Sequence, residues 1–195
     1  MATLRTTHPR DFYNRHTPTV AKELLGSILC RRLPDGNILS GQIVEVEAYR
    51  ENEPACHAYR GKTPRTAVMF GPPGISYVYF IYGNYNCLNV VTEEEGSACA
   101  ILIRAVEGHD TNGPGKLCRA WSISRQHNGA DLTDCQSELW IAQREPLKRT
   151  QIGVSTRIGV TSAHDLRWRY FIKGHPSVSG PKALNEQKKA SAINA

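Results

Sequence analysis

Two glutamates and a tyrosine stand at alternate positions near the middle of residues 41–60, GQIVEVEAYRENEPACHAYR. Alternation makes Gly41–Tyr49 a strand. Ile43, Glu45, Glu47 and Tyr49 then share one face, and Gln42, Val44, Val46 and Ala48 the other. A carboxylate can polarise a water molecule, and a neighbouring ring can stack on a flat ligand. The polar run after the strand ends in His57, which adds an imidazole. Taken alone, the same face also describes carboxylates turned to solvent, the commoner place for glutamate.

A second stretch supplies partners. Ile75–Tyr82, Tyr85–Thr92 and Ala98–Val106 read as three strands joined by the short links Gly83-Asn84 and Glu93–Gly96. Links so short favour antiparallel neighbours, which brings Tyr79, Asn89 and Arg104 within reach of one another. Tyr77, Tyr79, Tyr82 and Tyr85 fall within nine residues. Cross-strand packing accounts for Tyr77. Tyr82, beside a turn glycine, is expected to be exposed and could wedge into a base stack. Arg104 near Glu47 would hold that carboxylate ionised, or the two could form a purely structural ion pair. No serine or cysteine sits in a nucleophile elbow. The histidines and cysteines lack metal-ligand spacing, so no metal is expected.

The elements that must position these groups follow from local signals. Residues 1–16 are polar and irregular. Thr17-Pro18 opens a helix, with Thr17 as its N-cap, and Gly26 ends it. Ser27–Leu33 and Ile38–Tyr49 form a hairpin across Pro34-Asp35-Gly36-Asn37. Residues Arg50 to Arg65 make a long polar loop carrying Glu51, Glu53, His57, Arg60, Lys62 and Arg65, and loops of that length are commonly functional. Asn112–Lys116 precedes a helix over Leu117–Ile123, where Lys116 and backbone amides could hold a phosphate or simply begin the helix. Further strands are expected at Leu139–Ala142, Ile152–Val160 and Arg169–Ile172. The whole, residues 1–195, reads as one mixed α+β domain, with 1–16 and 180–195 loosely ordered.

Composition excludes several classes. No apolar run approaches the ~18 residues of a membrane span, and the first residues lack the apolar core of a secretory signal. The six scattered cysteines read as reduced, mostly buried thiols of a cytoplasmic protein. From Arg144 onward there are ten Lys/Arg and three Asp/Glu, so the whole net charge of +6 resides in the last quarter. That distribution suits a polyanion.

The succession VEVEAY, His57, KTPRTAVMFGPPG, YVYFIYGNYNCLNVV, ACAILIRAVEG, GPGKLCRAW and RIGV resembles the alkyladenine (3-methyladenine) DNA glycosylase family, of the type without a helix-hairpin-helix, in a bacterial form. The likeness runs from about Val20 to about Val178. It implies a mainly antiparallel, curved sheet with flanking helices. It also implies excision of alkylated or deaminated purines (3-methyladenine, 7-methylguanine, hypoxanthine, ethenoadenine) from duplex DNA, with water as nucleophile, no lyase step, no cofactor and a monomeric enzyme in the bacterial cytoplasm. By the same resemblance Glu47 would be the general base, with Arg104 and the backbone carbonyl of Ile158 placing the water. Tyr49 would cover one face of the flipped base, and His57 and Tyr79 the other. Asn89 would exclude the 2-amino group of guanine, and Tyr82 would fill the gap in the duplex. Thr63, Met69, Tyr85 and Lys116 would lie on or near DNA.

The chain departs from the family at RENEPACH, where relatives commonly carry an early glycine, and at Asn84 and Asn86 beside the wedge. A non-enzymatic damage sensor on the same scaffold would be expected to lose Glu47 or Arg104, and both are present. A hydrolase of free nucleosides would need neither wedge nor basic tail.

Overall fold

A computed structural model describes residues 4–81, 83 and 85–185. Tyr82, Asn84 and residues 186–195 lie outside the described residues. Eight antiparallel strands form one sheet: β1 (Ile28–Arg32), β2 (Ile38–Tyr49), β3 (Ser76–Ile81), β4 (Tyr85–Thr92), β5 (Cys99–Val106), β6 (Leu139–Ala142), β7 (Ile152–Ser155) and β8 (Arg169–Ile172). Among the described residues four α-helices accompany it: α1 (Arg10–Tyr13), α2 (Thr17–Leu24), α3 (Pro114–Ala120) and α4 (Lys182–Asn185).

The long strand β2 organises the sheet. On one side it pairs with β5. On the other it pairs with β1 through Gln42, then with β8 at Glu45–Glu47. The exchange of neighbours coincides with a register shift against β5 between Ile43 and Val46. A bulge of this kind bends a strand and resets which face its side chains take. Strict alternation therefore fails at one point: Ile43 joins Val46 and Ala48 in the hydrophobic core instead of sharing a face with Glu45 and Glu47.

Val46 and Ala48 from β2, Val78 from β3, Leu88 and Val90 from β4, and Ile101 and Ile103 from β5 form the core face, against Val20, Ala21 and Leu24 of α2 and Leu117 of α3. Each fully buried aliphatic side chain contributes about 1.5–3 kcal/mol. The opposite face carries a cross-strand row, with Tyr77 beside Asn89, Asn89 beside Leu102, Leu102 beside Glu47 and Glu47 beside Arg169. The sheet thus has one apolar face and one that collects chemistry. Among the described residues no helix is long and apolar enough to cross a membrane. All six cysteines are free thiols and five are buried.

Several boundaries differ from the sequence reading. Residues 4–16 are tied down: the Trp140 indole donates to the Leu4 carbonyl (2.7 Å), Arg10 pairs with Asp131 (2.6 Å), and Tyr13 is fully buried. The third helix begins at Pro114, a residue whose missing N–H costs nothing in a first turn. The strand expected over Ile152–Val160 stops at Ser155, because Arg157 turns inward to an ion pair. Residues 180–185 are also held, since Arg169 Nη2 donates to Asn185 Oδ1 (2.8 Å).

Thr17 is the first helical residue and not the cap. Glu93, from the β4–β5 turn, performs the capping. It accepts from the Thr17 amide (3.0 Å) and hydroxyl (2.6 Å) and from Arg50 Nε (2.8 Å). Burial alone would raise the Glu93 pKa, but the Arg50 and Thr17 hydrogen bonds outweigh it and lower it to about 2. A depressed folded pKa stabilises above the unfolded value of about 4.3 and is lost as pH falls toward 2. Glu93→Gln is therefore expected to cost roughly 1–3 kcal/mol at pH 7. In urea titrations its stability should also fall less steeply than the parent's between pH 4.5 and 2.

Candidate active site

The chemical face of β2–β5 forms the floor of a cavity of about 660 Å³. Its walls come from residues 54–57 of the loop after β2, from 112–119 around the start of α3, and from 158–162 beyond β7. Tyr49, His57, Tyr79, Asn89, Arg104 and Ile158 all line it, and so do Met69, Tyr85 and Lys116.

Glu47 is fully buried, not solvated. A desolvated carboxylate needs donors around it, and three converge. The Tyr49 hydroxyl donates to Oε2 at 2.7 Å, Arg104 Nη1 donates to Oε2 at 3.3 Å, and the Ile158 amide donates to Oε1 at 2.7 Å. Ile158 thus meets Glu47 through its amide, beside the carbonyl that the resemblance assigns to the water. Burial lowers the Arg104 pKa, and the Glu47 and Glu45 carboxylates outweigh that and keep it above its ordinary value. Burial raises the Tyr49 pKa, and the Glu47 charge raises it further, so Tyr49 stays protonated and donates to the carboxylate.

The aromatic walls are themselves braced. His57 packs edge-on against Tyr79, with ring centroids 4.2 Å apart, and its Nδ1 lies 3.3 Å from the Tyr77 hydroxyl. Burial, then the Arg65 charge, lowers the His57 pKa, which leaves the imidazole neutral near pH 7. On the other side the Arg157 guanidinium sits 4.5 Å from the Tyr49 ring centroid. With a cation behind it, Tyr49 offers its remaining face to the cavity. Asn89 is 4% exposed, and its Nδ2 donates to the Tyr77 carbonyl (3.0 Å), which makes the carboxamide a rigid post in the floor.

The residues expected at the surface divide. Thr63 is exposed and exchanges hydrogen bonds with Thr66. Tyr85 is 37% exposed, and its ring packs so closely on Gly115 that a Cβ there would lie 2.7 Å from Cδ1. Lys116 is exposed and donates to Asn112 Oδ1 (3.0 Å). Met69 is only 2% exposed and belongs to the cavity wall.

Four further residues support the site; the sequence reading placed Glu45 on the chemical face and Glu53 in the polar loop without assigning either a partner, and gave Arg157 and Arg169 no part. Glu53 and Arg157 form a buried bidentate pair at 2.6 and 2.9 Å. Glu45 and Arg169, both fully buried, form an ion pair through one contact at 2.6 Å. The one available signal was arginine inside otherwise strand-like runs, QIGVSTRIGV and RWRYFI.

A buried acid directly behind the floor of an aromatic slot suits a flat ring held beside a polarised water molecule. The chain belongs to the methylpurine-DNA glycosylase family, whose family model matches residues 11–176. Three similar proteins bear the name "Putative 3-methyladenine DNA glycosylase". The first, from Synechococcus sp. (strain JA-3-3Ab), is 45% identical over 87% of this chain and 97% of its own. The second, from Carboxydothermus hydrogenoformans, is 46% identical over 88% and 97%. The third, from Methanocella arvoryzae, is 48% identical over 88% and 94%.

Proposed function

We propose that this protein is a monofunctional DNA glycosylase that hydrolyses the N-glycosidic bond of alkylated or deaminated purines flipped out of duplex DNA. The observation that carries this reading is Glu47: a fully buried carboxylate, fixed by Tyr49, Arg104 and Ile158, directly behind the floor of a cavity that those three residues line together with further aromatic rings. Family membership and the names of the similar proteins support the same reaction.

The damaged nucleotide leaves the stack at a cost of a few kcal/mol, least where the lesion already pairs poorly. It enters between Tyr49 and the His57–Tyr79 pair. A ring alkylated at nitrogen is cationic, and tyrosine faces attract it by roughly 0.5–2 kcal/mol. Glu47 takes a proton from water as the water oxygen bonds to C1′. The C1′–N bond breaks, its electron pair leaves with the base, and the Glu47 charge stabilises oxocarbenium character at the sugar. A cationic lesion departs as a neutral base, whereas hypoxanthine must gain a proton as it leaves. Asn89, held rigid, excludes the 2-amino group of undamaged guanine. The proposed step uses side chains and water alone, in a monomer of the bacterial cytoplasm.

Single-turnover excision from duplexes carrying one defined lesion each tests the reading. Base release should leave an abasic site that breaks only after alkali. Strand scission without alkali would overturn the monofunctional assignment, and absence of release from every lesion would overturn the activity. Tyr82 follows β3 and precedes Gly83, and in this reading it fills the space the flipped base vacates. Tyr82→Ser should weaken lesion-duplex binding and slow excision by about tenfold or more, since unfilled stacking is worth roughly 1–3 kcal/mol. Unchanged binding and rate would remove the wedge.

A further inference from the structure

Glu45 shares the chemical face with Glu47, and neither is itself a lining residue of the cavity, but Glu47 is held by three residues that are, Tyr49, Arg104 and Ile158, and Glu45 touches only Arg104 among them. It is fully buried, and all of its contacts lead inward. Its Oε1 accepts from Arg104 Nε (3.0 Å) and Arg169 Nε (2.6 Å), and its Oε2 accepts from the Ser179 amide (2.7 Å). Arg104 is thereby gripped at three points. Nε goes to Glu45, Nη2 to the Ser179 hydroxyl (3.4 Å), and Nη1 is left for Glu47 (3.3 Å).

The segment after β8 closes this arrangement. Arg169 Nη2 donates to the Ser179 carbonyl (2.9 Å) and to Asn185 Oδ1 (2.8 Å), and Nη1 donates to the Ser155 hydroxyl (2.8 Å). Gly180, at φ +84°, lies so close to Ile158 that a Cβ would come within 2.4 Å of its Cδ1. The same short strap therefore touches both groups that hold Glu47 from behind, Arg104 and Ile158.

We propose that Glu45 is a positioning residue for Glu47, acting through Arg104, and that Ser179–Gly180 is the clasp that keeps the three in register. The physical need is specific. An arginine facing one lone carboxylate prefers a bidentate fork. Without Glu45 to hold Nε, Arg104 would swing to grasp both oxygens of Glu47 and occupy the lone pairs that must face water. Glu45 prevents this by taking one edge of the guanidinium. The inference rests on Glu47 as the base, so Glu47→Gln is measured alongside.

The test compares Glu45→Gln and Ser179→Ala with the parent in full-length protein. It reads the single-turnover excision rate at saturating enzyme and, separately, the affinity for the lesion duplex. For Glu45→Gln the rate should fall roughly 10- to 100-fold, the usual scale for a misplaced catalytic group, with affinity unchanged within about threefold. Ser179→Ala removes only a hydroxyl and keeps the amide. It should lose about 3- to 10-fold in rate with the same split, and it carries the test if Glu45→Gln does not fold. Parental rates in the folded variants, or loss of rate and affinity in parallel, would overturn the positioning role while leaving Glu47 in place. Retained excision by Glu47→Gln would overturn both.

Discussion

Glu47→Gln is expected to abolish excision while leaving lesion-duplex binding within a few-fold of the parent. Loss of a general base costs about 10²–10⁴ in rate, or about 3–5 kcal/mol of transition-state stabilisation. In the proposed reaction the carboxylate would also face positive charge at the sugar, and losing that interaction adds to the effect. Binding should survive because the fold around the side chain can accommodate an amide. The glutamine oxygen can accept from the Ile158 amide as Glu47 Oε1 does, and the Tyr49 hydroxyl can turn from donor to acceptor. Arg104 keeps Glu45 as a partner at 3.0 Å. Rate and affinity should therefore separate cleanly, with trapped complexes accumulating on lesion-bearing duplex. If excision persists above a tenth of the parental rate, some other group activates the water.

Much of this site was legible because it rests on periodicity and short turns. The pairing of β3, β4 and β5 follows from links too short for any other connection. Register then places Tyr77, Asn89, Leu102 and Glu47 in one row. What periodicity cannot give is the sign of burial. VEVEAY alternates equally well with its glutamates in solvent, and only the arrival of Arg104, Arg169 and the Ile158 amide decides that they are inside. Two of those donors come from more than a hundred residues downstream, from segments whose local signals are weak. The bulge near Val44 is likewise invisible, since it arises where β2 trades β1 for β8. Residues 180–195 read as loosely ordered, with no signal at the Ser179 before them, because Ser179 and Asn185 are ordinary polar residues. Their value lies in meeting Arg169, a tertiary fact.

The loop after Tyr49 presents the same lesson with a large energetic consequence. Its sequence suggests a free polar excursion, yet it is stapled three times. Arg50 pairs with Glu93 at 2.8 Å, Glu51 accepts from the Ala98 amide at 2.9 Å, and Glu53 pairs with Arg157 at 2.6 Å. The last staple is the strongest, because both side chains are almost wholly withdrawn from water. Arg157 also donates to the Ala48 carbonyl (3.0 Å) and lies against Tyr49 and Trp168. Arg157→Met should therefore destabilise the protein by roughly 3–5 kcal/mol, most of it the cost of leaving the Glu53 charge buried and alone. At about 2–4 °C per kcal/mol for a chain of this size, the melting temperature should drop by roughly 6–20 °C. Adding Glu53→Leu to Arg157→Met should restore most of that stability, since replacing both members of a buried pair with apolar groups is often close to neutral. The double variant would nonetheless lack the cation behind Tyr49 and the anchor at the root of residues 54–57. Its melting temperature should recover while its affinity for lesion duplex stays about tenfold or more below the parent's. Recovery of both together would mean that the pair only holds the fold, whereas recovery of stability alone assigns it to shaping the wall against which the base stacks.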